Sequence, residues 1–277
     1  MLKKLIKYDM KSLNHFLPVL HLFVLLTAIL IRLFITGRIN PETSNEQIDV
    51  LFLLFFILYF TTITALTTGT YLLAGVRFYK NMFTDEGYLT KTLPVTSGTH
   101  LLSKTITGSI WAVINMFFVY LCTYIVSWTP FIRSIVSSDE QEILKELGAT
   151  GEYADLSFSA AFTVLFIFSC LGAVSSVIMI YASVALGQLF SSHRVLGAVV
   201  SYFVISTVIS VLSFVFMALF GHETRLLITT ASSAGDNFNF ISYMTEVMKI
   251  STVLMAIASV ALYSMTYYIM NKKINLI

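Results

Sequence analysis

The chain has 277 residues, 57% of them hydrophobic and only 12% charged, with a formal net charge of +2 at neutral pH. A soluble domain carries about 25% charged residues, so the deficit excludes an ordinary water-soluble fold. No basic stripe interleaved with aromatics lies outside the apolar runs, which leaves no footing for nucleic acid.

The first residues, MLKKLIKYDMKSL, read as a surface helix. Leu2, Ile6, Met10 and Leu13 share one face, and Lys3, Lys4, Lys7 and Lys11 share another, the pattern of a helix lying in the headgroup layer of a membrane. A first apolar run covers 16–37, and about 20 such residues suffice to cross a bilayer as a helix. It reads as a retained span, because it is too long for a signal peptide and Thr36-Gly37-Arg38 offers no small-x-small cleavage site. A second span runs over 48–76, longer than one crossing needs, which implies tilt or an extension into the cytoplasm. The third lies at 105–128, the fourth at 157–190, the fifth at 195–220 and the sixth at 247–270. Prolines avoid the helix interiors: Pro18 falls in a first turn, Pro41 in a loop, Pro94 in an inner segment, and Pro130 closes the third span. The loop at 129–156 is acidic, with Asp139, Glu140, Glu142, Glu146, Glu152 and Asp155. Within it, Ser138 with Gln141 fits a capping box opening a short helix, and Gly148 fits its stop. The expected fold is all-α: a single polytopic domain over 1–277 with six transmembrane helices.

Six spans put both termini on one side. That side holds eleven of the 17 Lys and Arg residues and the other side six. The positive-inside bias therefore places both termini in the cytoplasm of a multi-pass protein of the cell membrane.

Chemistry is sparse. No ionisable residue is expected deep in a span: Arg32 and Asp49 lie near the outer ends, where a side chain reaches water. Ion-coupled carriers need buried acids, histidines or lysines as relays, and His21 reads instead as a single satisfied histidine. Cys122 and Cys170 both sit in apolar runs and read as small buried residues. The chain has no His-Glu-x-x-His, Cys-x-x-Cys or Gly-x-Ser-x-Gly motif. It also lacks a phosphate-cradling Gly-x-x-x-x-Gly-Lys-Ser/Thr loop. These absences predict no catalytic, metal or cofactor residue, so any ATP must be bound by another polypeptide.

One inner segment, 77–104, is unlike a polar linker. Phe78, Met82, Phe83, Tyr88, Leu89, Leu93 and Val95 are apolar and interleaved with charges. Phe78, Met82 and Phe83 share a helical face, Asp85 and Glu86 precede Gly87 as a flexible hinge or turn, and Leu93-Pro94 marks a second break. Such apolar surface must be buried, either against the membrane face of the protein or as a short helix in a partner's groove.

Glu86-Gly87-Tyr88-Leu89, then Thr92-Leu93-Pro94 and Ser103-Lys104 entering the third span, resembles the ABC-2 type transporter permeases of bacteria. Six spans, a basic interfacial N-terminal helix and a short inner loop before the fifth span match that family in layout. The resemblance implies a membrane-spanning exporter subunit that is not itself an enzyme. The segment between the second and third spans would be a cytoplasmic coupling helix seated in a separate ATPase. Phe83, Asp85, Glu86, Gly87, Tyr88, Leu93 and Pro94 would sit at or support that contact, with a minor second contact from the loop carrying His193 and Arg194. Two copies of the ATPase, binding ATP and Mg, and a second permease, identical or related, would complete the complex in the lipid bilayer. The resemblance also implies short re-entrant helices in 221–246, a stretch whose Gly, Ser and Asn content equally suits a plain loop.

Small residues at 169–187 (Ser169, Gly172, Ala173, Ser176, Ser183 and Gly187) offer close helix approach. Thr61, Thr62, Thr64, Thr67, Thr68 and Thr70 either bond to their own helix carbonyls, the favoured reading, or line a polar path. The cargo expected from the apolar walls is peptide-like or amphipathic. The rival reading is a self-sufficient facilitator or channel with no ATPase partner. A membrane enzyme or sensor ranks third, because no convergent polar set is visible.

Overall fold

A computed structural model of the protein describes residues 1–38, 46–92, 94–149, 151–190, 192–221 and 239–272. They form α1 (Leu2–Leu13), α2 (Leu17–Arg38), α3 (Glu46–Phe83), α4 (Asp85–Lys91), α5 (Ser97–Ser127), α6 (Pro130–Glu146), a 3-10 turn (Gly151–Tyr153), α7 (Phe158–Gly187), α8 (Arg194–Phe220) and α9 (Phe240–Lys272). No strand occurs among the described residues. Helices α2, α3, α5, α7, α8 and α9 are each long and apolar enough to cross a membrane. The protein is all-α and polytopic, as the sequence predicts. The chain divides into two compact units, 1–134 and 135–277.

In the first unit, Val24, Ala28 and Ile31 of α2 pack with Tyr59 and Leu66 of α3 and Cys122 of α5. A second cluster joins Leu13 of α1 and Leu17 of α2 to Trp111 of α5. Helix α1 is thus held at its C-terminal end, while its lysines stay exposed. The outer face is apolar, with Leu22, Phe23, Leu26, Leu30 and Leu33 exposed on α2 and Leu53, Leu54, Phe56 and Phe60 on α3. Lipid tails are as apolar as leucine, so such a face costs nothing in a bilayer.

The threonine hydroxyls of α3 are mostly satisfied within the helix. Thr61, Thr64 and Thr70 donate to the carbonyls of Leu58, Phe60 and Leu66 at 2.8–2.9 Å, and Thr62 also donates to Leu58. Thr67 is the exception: its hydroxyl accepts from Asn115 Nδ2 of α5 at 3.4 Å. His21 is 2% exposed, packed edge-on against Phe118 with ring centroids 4.8 Å apart. Its Nδ1 lies 2.7 Å from the Leu17 carbonyl, but Nε2 has no partner among the described residues. The expected satisfied histidine is therefore satisfied on one side only. Arg32, partly exposed near the end of α2, likewise buries Nη1 without a partner among the described residues.

In the second unit, α7 packs against α8 and α9 through small residues. A Cβ on Gly187 would stand 2.5 Å from the Ala198 backbone nitrogen of α8. Ser259 of α9 donates to Ser175 of α7 at 3.0 Å. Ala173, Ser183 and Gly187 are buried by these contacts, so the small-residue face is engaged within one chain.

Several boundaries differ from expectation, each for a local reason. Helix α3 continues past 76 to Phe83, because Phe78, Met82 and Phe83 are buried and hold its last turns. Helix α5 starts at Ser97 and not 105: Thr96 is its N-cap, with an extended backbone and a hydroxyl accepting from Thr99 N at 3.4 Å. The inner segment therefore contracts to 84–96. Helix α6 opens at Pro130, a residue suited to the first helical position, so Ser138 lies in the helix interior and does not cap it. Gly148 does stop that helix, with φ +96°. Its N–H donates to Lys145 O at 2.9 Å and that of Ala149 to Leu144 O at 2.7 Å, a Schellman closure. Helix α9 begins at Phe240 and not 247, because Asn239 Oδ1 accepts from Ser242 N at 2.9 Å. Pro41 lies outside the described residues, as do 222–238 of the 221–246 stretch considered for re-entrant helices, whose last residues, 240–246, open α9.

Candidate functional site

The residues expected at a partner contact fall on α4 and its flanking turns. Beneath α4 lie the last turns of α3. Phe78 and Phe83 pack edge to face, with centroids 5.5 Å apart and planes at 82°, and Met82 is buried beside them. Each buried side chain of this size stabilises by about 1.5–3 kcal/mol. Phe83 can therefore support a contact from below but presents no surface of its own.

Thr84 makes the bend. Its hydroxyl donates to Lys80 O at 2.6 Å, extending the end of α3, while its carbonyl accepts from Gly87 N at 2.7 Å and starts α4. Asp85 and Glu86 occupy the first turn of α4 and are exposed, where acidic groups complement the helix dipole. Gly87 is neither a hinge nor a left-handed turn. It is helical and buried, and a Cβ there would stand 2.6 and 2.7 Å from the carbonyl carbon and oxygen of Met82. Only glycine lets α4 rest directly on the backbone of α3. Tyr88, 65% exposed, and Pro94 face outward. Leu93 lies outside the described residues.

A polar knot ties this corner to the rest of the first unit. Lys104, near the start of α5, forms a salt bridge with Asp9 of α1. The second Asp9 oxygen accepts from Ser103 Oγ at 2.8 Å. Asn81 of α3 bridges onward: with its carboxamide turned to satisfy both neighbours, its oxygen accepts from Lys104 Nζ at 2.7 Å and its nitrogen donates to Glu86 at 2.8 Å. Four helices thus meet in one chain of hydrogen bonds, Asp9–Lys104–Asn81–Glu86. The Lys104 and Asp9 side chains are 11% and 13% exposed, so the pair is largely shielded from water and screened little by salt. Displacement of α4 must break the knot or carry α1 and α5 with it.

Of the expected site residues, Asp85, Glu86, Gly87 and Tyr88 are brought together on α4, and Phe83 lies under it. His193 and Arg194 are exposed at the start of α8 in the second unit. His193 serves as the N-cap without a side-chain hydrogen bond, and its carbonyl accepts from Gly197 N at 2.8 Å. Sequence reasoning missed Asp9 and Asn81, and took Ser103 and Lys104 as motif residues without a role. A signal for Asp9 existed: it is the single acid among the first 13 residues, inside a basic helix.

The arrangement is a hydrogen-bonded corner at which α1, α3, α4 and α5 meet. Among the described residues no group of three or more His, Cys, Asp or Glu side chains could hold a metal ion. Comparison with protein-family models, curated proteins and solved structures finds no match to the chain.

Proposed function

We propose that this chain is the membrane-spanning permease subunit of an ABC-2 type exporter, and that α4 is the element by which a separate ATPase drives it. The observation that carries the reading is a seven-residue helix between two span helices whose underside is sealed while Asp85, Glu86 and Tyr88 stay exposed. A helix laid in a partner's groove binds through exposed anchor side chains, and the exposed Tyr88 offers one here, flanked by the acids Asp85 and Glu86. The knot supplies the means of transmission, since a push on α4 reaches α1 and α5 through Lys104.

In this reading both termini are cytoplasmic, in the cell membrane. ATP and Mg bind only in the partner, present in two copies, and a second permease, identical or related, completes the path. The cargo is amphipathic or peptide-like. Phe83 and Gly87 support the contact, Asp85, Glu86, Tyr88, Leu93 and Pro94 make it, and His193 with Arg194 makes a minor one. The test is a pull-down of the tagged chain from its native membranes in mild detergent. Recovery of an ATPase, lost in a Glu86→Lys, Tyr88→Ala variant that remains folded, supports the proposal. Recovery of the intact chain alone, with nucleotide-independent transport in liposomes, overturns it in favour of a self-sufficient facilitator.

A further inference from the structure

The elbow between α1 and α2 encloses a cleft of about 370 Å³ lined by Tyr8, Lys11, Ser12, His15, Phe16 and Arg77. Two cations and three hydrogen-bonding groups face it, and no carboxylate does. The single acid of α1, Asp9, is already bound by Ser103 and Lys104, so it does not neutralise Lys11 or Arg77. Arg77 is half-buried within the second-last turn of a span helix and has no ion-pair partner among the described residues. A half-buried guanidinium without a counter-charge favours an anion beside it, and its fork matches the oxygens of a phosphate.

Location narrows the anion further. Helix α1 is amphipathic, with Lys3, Lys4, Lys7 and Lys11 exposed on one side and Leu13 docked on the other, which sets the cleft at headgroup level. Phe16 at the cleft's rim is 57% exposed, and Val19 and Phe23 continue from it as an exposed stripe down α2. A free phosphate would leave that stripe unused; a phospholipid would lay an acyl chain along it.

We infer that the cleft is a binding site for an anionic phospholipid, its phosphate held between Lys11 and Arg77 with Tyr8, Ser12 and His15 donating, and one acyl chain on Phe16, Val19 and Phe23. The inference stands apart from the exporter reading, since it needs only a chain that spans a membrane. The site anchors α1 to the leaflet at the same corner where Asp9 meets Lys104.

The test is native mass spectrometry of the purified full chain titrated with phosphatidylglycerol, with phosphatidylcholine of matched acyl chains, and with inorganic phosphate. Phosphatidylglycerol is expected to bind in preference to phosphatidylcholine. Lys11→Gln with Arg77→Gln is expected to weaken it roughly thirtyfold, about a factor of five for each cation near the membrane surface. The control Lys3→Gln with Lys4→Gln removes the same charge from α1 about two turns away from Lys11, beyond a Debye length of about 8–10 Å, and should change affinity by less than about threefold if the cleft is the site. Equal loss in both variants, equal binding of phosphatidylcholine, or displacement of the lipid by inorganic phosphate overturns the assignment. Should the double variant fail to fold, Lys11→Gln alone decides by the same comparison against Lys3→Gln.

Discussion

Gly87 of α4 lies against the backbone of Met82 in α3 so closely that a single added methyl would stand 2.6 Å from the Met82 carbonyl carbon. The neighbour is backbone, held by the burial of Phe78, Met82 and Phe83, so it cannot yield as a flexible side chain would. Gly87→Ala must therefore lift α4. Overpacking of this kind costs about 1–3 kcal/mol, and the strain falls on a helix of seven residues too short to persist without its support. Hydrogen exchange at 84–92 is expected to accelerate in Gly87→Ala while exchange within α3 and α5 stays slow. Unaltered exchange in that segment would show that α4 does not depend on the close approach.

Lys104 and Asp9 offer a second, separable test. Removing one partner leaves a mostly shielded charge uncompensated, and for buried pairs that costs about 3–5 kcal/mol. With both side chains slightly exposed, Lys104→Met is expected at about 2–4 kcal/mol. Asp9→Asn should cost less, because Ser103 and Lys104 can still bond to the amide oxygen. The double variant should be milder than the sum of the two, with a coupling of about 1–3 kcal/mol in thermal unfolding. Strict additivity would mean that the pair contributes nothing beyond each residue's separate packing.

The contrast between what was legible and what was not has a physical basis. The six spans announced themselves because a bilayer demands about 20 apolar residues in sequence, a condition local to each segment. The amphipathic α1 was equally plain from the spacing of Leu2, Ile6, Met10 and Leu13. Helix ends were harder, since they depend on single caps: Thr96 and Asn239 each extend a helix well beyond its apolar run. The knot was hidden because Asp9 meets Ser103 and Lys104 across 94 and 95 positions of sequence, and a single chain carries no mark of that pairing. Gly87 was visible as a glycine, but its reason was not: a turn and a close approach look alike until Met82 is placed beside it.

Asn239 does two jobs at the second unit's end. Its Oδ1 caps α9 through Ser242 N at 2.9 Å, and its Nδ2 donates to Gly148 O at 2.7 Å. Ile241 N also donates to Leu147 O at 3.2 Å, so the close of α6 and the start of α9 are clamped together. Asn239→Ala removes the cap and one cross-link, a loss of about 1–2 kcal/mol. Asn239→Ser should recover part of it, because serine can cap but cannot reach Gly148. Thermal unfolding of the three proteins should rank native, serine, alanine; an alanine variant as stable as the native chain would rule out the clamp.

The threonines of α3 fall into two kinds. Thr61 and Thr64 are exposed, and each donates to a carbonyl one turn back in its own helix. A hydroxyl so engaged has committed its proton and ties its own helix rather than a neighbouring one. Valine keeps its shape, so Thr61→Val with Thr64→Val is expected to change stability by less than about 0.5 kcal/mol in thermal unfolding. Thr67 differs, because its hydroxyl accepts from Asn115 Nδ2, and Asn115 is fully buried with Oδ1 already lacking a partner among the described residues. Thr67→Val strips that amide of its remaining bond to another helix, a penalty of about 1–3 kcal/mol for a buried group left unpaired. Asn115→Leu in the Thr67→Val background should restore stability, since replacing both partners removes the unpaired group altogether. If Thr67→Val is as silent as the other pair, the 3.4 Å contact contributes nothing and α3 is held to α5 by its other contacts, the apolar cluster of Tyr59, Leu66 and Cys122 and the Asn81–Lys104 bond.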